Sequence, residues 1–100
     1  MQACDVVCVA SWNVDLVAQI AQPIARGQTV LAYDFKRLPG GKGSNAAIAA
    51  ARQGAKVGLI ARVGDDDFGQ MGLDLWAQEG IDSRFVVRAE GEMNGTALIM

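Results

Sequence analysis

The chain has 100 residues, room for a single small domain, and with 51% hydrophobic and 20% charged residues its composition is that of a folded chain. A formal net charge of −2 and the lack of a long Lys/Arg cluster argue against nucleic acid as a partner. No apolar run approaches the roughly 20 residues that a membrane span needs, and no basic-then-apolar leader pattern opens the chain, so a cytoplasmic location is expected.

In chain order, residues 5–10 form a short apolar run of the kind found in a buried parallel strand. Cys4 and Cys8 lie in one apolar segment. Four residues apart on a strand they share a face but lie too far apart to bond to each other, and with no histidine in the chain they read as small core residues, not as zinc ligands. Residues 14–20 form a second strand, and Pro23 and Gly27 break the pattern after it. Residues 29–36 alternate, with Leu31, Tyr33 and Phe35 on one face, and predict a half-exposed strand paired with 14–20. Residues 44–53 predict a helix closed by Gly54, and 56–63 a strand. A second helix follows, with Asp67 as N-cap, Gln70 completing a capping box, an apolar face of Phe68, Met71 and Leu75, and Gly80 at its end. Residues 85–88 and 95–100 predict two more strands.

Strands alternating with helices imply an α/β fold with a parallel sheet. The hairpin of 14–36 does not fit that sheet and reads as a separate small sheet covering one end of it. The sequence stops inside an apolar strand at Gly95-Thr96-Ala97-Leu98-Ile99-Met100, so it reads as the first part of a longer protein.

Two features bear on chemistry. Gly40-Gly41-Lys42-Gly43-Ser44-Asn45 opens the small-residue helix, an arrangement that brings backbone and helix N-terminus close to a polar ligand. It is not a Walker A loop, because Gly43 follows Lys42 where Ser or Thr is required. It fits the looser Gly-x-Gly-x-x-Ala dinucleotide pattern, though it follows a charged strand and not the first buried one. It also fits a substrate loop with Lys42 and Asn45 reaching into a pocket, or simply a tight turn into a helix. Asn13 and Asp15, two apart on an extended segment, project from one face and together offer donors and acceptors for the hydroxyls of a polyol. The alternative is an Asn that turns the chain and an Asp on an exposed strand. Asp65-Asp66-Asp67 reads as a helix start favoured by the dipole, not as a metal cluster. Trp12 and Trp76 read as packing residues, with Trp12 close enough to Asn13 to line a pocket.

On these residues the chain resembles the N-terminal third of a ribokinase-type (PfkB family) sugar kinase. Gly40, Gly41, Gly43, Asn45, Ala47, Gly54 and Gly64 match the family's first signature. Ser11-Trp12-Asn13-Val14-Asp15 resembles its first sugar-binding element, and Gly64-Asp65-Asp66-Asp67-Phe68-Gly69 its Val-Gly-Asp-Asp-x-Phe-Gly segment. Ala10 stands where the family often has glycine, and Ala46 where many ribokinases have glutamine.

The resemblance implies a Rossmann-like parallel sheet of the ribokinase-like kind with a small β lid, residues 1–100 being the N-terminal part of the kinase domain and the lid strands falling at about 14–36 and 85–100. It implies ATP-dependent phosphorylation of a sugar hydroxyl, with Asn13 and Asp15 binding the sugar from the lid side and Gly41, Lys42 and Asn45 from the other. ATP and Mg²⁺, with a monovalent cation among the candidate cofactors, would bind beyond residue 100, as would the catalytic aspartate, so the segment alone is expected to be inactive. It also implies a homodimer through the lid strands. The competing readings are a non-catalytic sugar-binding or dimerisation module and a dinucleotide-binding domain.

Overall fold

A computed structural model of the chain describes residues 3–100. Eight elements follow in order: β1 (Val6–Val9), β2 (Asn13–Gln19), β3 (Asp34–Gly40), α1 (Lys42–Arg52), β4 (Val57–Gly64), α2 (Asp67–Gln78), β5 (Asp82–Ala89) and β6 (Gly95–Ile99). They build two three-stranded sheets. The larger is parallel with order β1-β4-β5; the smaller has order β3-β2-β6, with β2 antiparallel to β3 and parallel to β6.

In β4, Val57, Leu59, Ala61 and Val63 are buried while Ile60 and Arg62 are exposed, the period-2 pattern of a strand covered on one face. Both helices pack on that covered face, α1 against β1 and β4, α2 against β4 and β5. The core lies between, with Trp76, Leu59 and Val63 fully buried and Val14 entering it from the small sheet. The seam is tight: a Cβ on Gly43 would stand 2.5 Å from the Ala10 Cβ, so glycine lets α1 lie directly on the end of β1.

Three expectations are corrected. The strand predicted over 29–36 lies at Asp34–Gly40, and Thr29 to Leu31 carry no regular structure. β3 runs through Pro39 because it is an edge strand, where proline is tolerated. The segment 85–88 belongs to the parallel sheet as part of β5, paired with β4 from Gly58↔Asp82 to Gly64↔Ala89, so the small sheet draws only 95–99 from the C-terminal stretch. The N-cap of α2 is Asp66, not Asp67, and its carboxylate accepts from the Gly69 N–H. Cys4 and Cys8 are half-buried, with Cys8 packed against the core.

Candidate functional site

Alternation along β2 turns Val14 into the core and leaves Asn13 and Asp15 on the opposite face. There the Asn13 Nδ2 donates to Asp15 Oδ1 at 2.7 Å. Both side chains are half-buried. In register, Asn13 stands between Gly40 on β3 and Gly95 on β6, and Asp15 between Leu38 and Ala97. The small neighbours matter. A Cβ on Gly40 would fall 2.4 Å from Asn13 Nδ2 and 2.6 Å from Asp15 Oδ1, so the missing side chain is the space that the pair occupies.

The next residue turns the chain. Gly41 has φ +94°, and a Cβ there would stand 2.3 Å from the Ser11 carbonyl oxygen. Only glycine combines that left-handed backbone with so close an approach. The turn delivers α1 immediately, with Gly41 as its N-cap and no side-chain cap, so side chains do not occupy the N–H groups of the first turn. Lys42 opens the helix and Asn45 follows one turn later; both are exposed, and neither side chain hydrogen-bonds or ion-pairs with Asn13 or Asp15. The structure thus joins Asn13, Asp15, Gly40 and Gly41 in one cluster and sets Lys42 and Asn45 at the helix start beside it.

Behind this surface, the Trp76 Nε1 donates to the buried Ser44 Oγ at 2.9 Å, tying the first turn of α1 to α2. Trp12 packs edge-on to Trp76, with ring centroids 5.5 Å apart, and its Nε1 donates to the Phe68 carbonyl at 2.9 Å. Both tryptophans are therefore core residues. A cavity of about 510 Å³ is lined by Trp12, Pro39, Met71 and Leu75 among others. Pro39 pairs with Val14, so this cavity opens on the face of β2 away from Asn13 and Asp15.

The acidic run is structural. Asp66 Oδ1 accepts from Gly69 and its Oδ2 from the Asn94 N–H, at 2.9 Å each. The Asn94 and then the Gly69 N–H groups hold the Asp66 carboxyl below its ordinary value. Asp65 pairs with Arg88 at 2.9 Å, and the Arg88 guanidinium, then the Gly91 N–H, lowers its carboxyl too. Among the described residues no three His, Cys, Asp or Glu side chains converge to hold a metal.

Reading the sequence misses two residues here. Gly40 was legible only as part of a glycine pair. Asn94, buried, accepts the Gly64 N–H at 2.9 Å, and its only sequence signal is an Asn-Gly turn pattern.

A family model described as pfkB family carbohydrate kinase matches residues 3–100. The chain belongs to this family. It is 38% identical over 91 residues to a ribokinase of Haemophilus influenzae, covering 91% of this chain and 30% of that protein. Its structure resembles that of a ribokinase from Cryptococcus neoformans var. grubii in complex with ADP, with TM-score 0.83, 26% identity, and coverage of 96% of this chain and 30% of that one. A sugar kinase from Pyrococcus horikoshii in complex with ATP gives TM-score 0.77 at 27% identity, covering 93% of this chain and 29% of that one. The fold is thus ribokinase-like, and ATP use is supported for this family. The chain spans about a third of the length of the curated relatives it matches.

Proposed function

We propose that the full-length protein carrying this segment transfers a phosphoryl group from ATP to a sugar hydroxyl, with this segment supplying a sugar-binding loop and a lid. The observation that carries the reading is the Asn13–Asp15 pair seated over Gly40 at the turn into α1. With one Nδ2 hydrogen committed to Asp15, Asn13 keeps a second donor and its carbonyl, and Asp15 keeps its other oxygen as acceptor. That set meets two adjacent hydroxyls. Half-burial strengthens these bonds relative to water.

Gly41 lets the sugar approach the backbone, while Lys42 and Asn45 hold its far side from the helix start. The small sheet excludes water from the sugar, as a lid over a reaction that water would otherwise short-circuit. When bound, ATP with Mg²⁺ supplies the phosphoryl group. No residue here is assigned to it, since Asp65 and Asp66 are engaged by Arg88 and by backbone N–H groups. Exposed Tyr33, Phe35 and Leu98 on and beside the small sheet favour a homodimer formed through it.

The test is a phosphorylation screen of the full-length protein with ATP, Mg²⁺ and ribose, fructose, phosphofructose and nucleosides. One sugar class should turn over. Asp15→Ala should cut kcat/KM for it by about 10- to 100-fold, the worth of a charged hydrogen bond. Absence of turnover, or a variant equal to the wild type, overturns the reading.

A further inference from the structure

The chain passes between the two sheets three times, at residues 10–12, at 40–41 and at 90–94. The first two passages are fixed by backbone: the Ala10 N–H donates to the Ile60 carbonyl at 2.9 Å, and Gly41 packs on the Ser11 carbonyl. The third is held by the Asp65 N–H, which donates to the Glu92 carbonyl at 2.8 Å, by the Asp66 carboxylate, and by the side chain of Asn94, which with Ser44 makes up the buried polar side chains of the described residues.

Asn94 bonds in three directions. Its Oδ1 accepts the N–H of Gly64, the last residue of β4; its Nδ2 donates to the Gly95 carbonyl at the start of β6; and its backbone N–H donates to Asp66, the cap of α2. The backbones also meet closely here, because a Cβ on Gly64 would lie 2.1 Å from the Asn94 backbone nitrogen. Gly95 is the register partner of Asn13, and Ala97 that of Asp15. A buried amide is costly unless fully bonded, and a bonded one admits few orientations. An apolar residue at 94 would leave the Gly64 N–H without its partner.

We infer that Asn94 is a positioning residue, the latch that fixes the small sheet against the ends of β4 and α2 and so sets the Asn13–Asp15 pair for its ligand. The ligand in this inference rests on the sugar-kinase reading; the latch rests on the hydrogen bonds alone.

The test uses the full-length protein with Asn94→Ala and Asn94→Asp, the latter keeping an acceptor for Gly64 but no donor for Gly95. Without substrate, Asn94→Ala should speed amide exchange at Gly64 and along β2–β6 by at least about fivefold, leaving α1 and β1–β4 unchanged. In kinetics it should raise KM for the sugar at least about fivefold while KM for ATP stays within about twofold. Asn94→Asp should restore protection at Gly64 while β2–β6 stays open. Exchange unchanged in both variants, exchange raised uniformly, or both KM values rising together overturns the inference. If the wild type phosphorylates no sugar, the function reading fails and the exchange pattern still decides the latch. If Asn94→Ala does not fold, Asn94→Asp carries the same test through its β2–β6 exchange and KM split.

Discussion

A methyl group on Gly40 would meet the ends of two side chains, Asn13 Nδ2 and Asp15 Oδ1, whereas one on Gly41 would meet the Ser11 carbonyl with the backbone already at φ +94°. The two glycines are adjacent but do different work. Side-chain ends can swing aside, so Gly40→Ala should change unfolding free energy by less than about 1 kcal/mol while weakening sugar binding at least about tenfold. Gly41→Ala must move backbone and should cost about 1–3 kcal/mol. Chemical denaturation and calorimetric titration of the full-length variants check both. Equal stability losses would mean that Gly40 serves the turn and not the pair.

The two helices begin in opposite ways. α1 starts on a glycine with no side-chain cap beside the polar pair, whereas α2 starts on Asp66, whose two oxygens each accept a backbone N–H. A cap of this kind contributes about 1 kcal/mol, and here it also holds the strand that leads into β6. Asp66→Ala should therefore destabilise the protein by about 1–2 kcal/mol. The pH dependence follows in sign. The native carboxyl lies below its ordinary value of 3.8, so its contribution is fully present above that value and is lost as pH falls through the lowered native pKa. Asp65, lowered by Arg88, adds in the same direction. Acid titration of stability should show a shallower loss below pH 3.8 in Asp66→Ala than in the wild type. Parallel curves would remove Asp66 from the account.

The described molecule is flat, with extents of 53 × 33 × 18 Å. Both helices cover one face of the parallel sheet. On the other face Val7, Val9, Ile60, Phe85 and Val87 are exposed as one apolar surface, larger in kind than scattered surface hydrophobics. Tyr33, Phe35 and Leu98 add a second exposed group at the small sheet. Residues 1–100 produced alone should associate or bind a hydrophobic dye, and should unfold over a broad range. A monomer in sedimentation with a sharp cooperative transition would contradict this.

Local chemistry determined much of this protein. The period-2 alternation puts Asn13 and Asp15 on one face whatever lies across from them, and the glycine pair announces a tight turn into a helix. Helix ends were legible to within two residues, because Gly54 and Gly80, both at positive φ, stop the helices by backbone conformation alone. Sheet membership was not legible. A strand's pattern states that one or both faces are covered but not by which partner, so 85–88 reads as part of the lid with 95–100, whereas pairing with β4 places it in the parallel sheet. The end of β3 escaped for a related reason, since proline breaks a strand or survives in it according to whether a neighbour needs its N–H, and that depends on its being an edge. Asn94 is the clearest case: its partners Gly64 and Asp66 lie about thirty residues away in sequence, and only folding brings the Gly64 N–H to its side-chain oxygen and the Asp66 carboxylate to its backbone N–H.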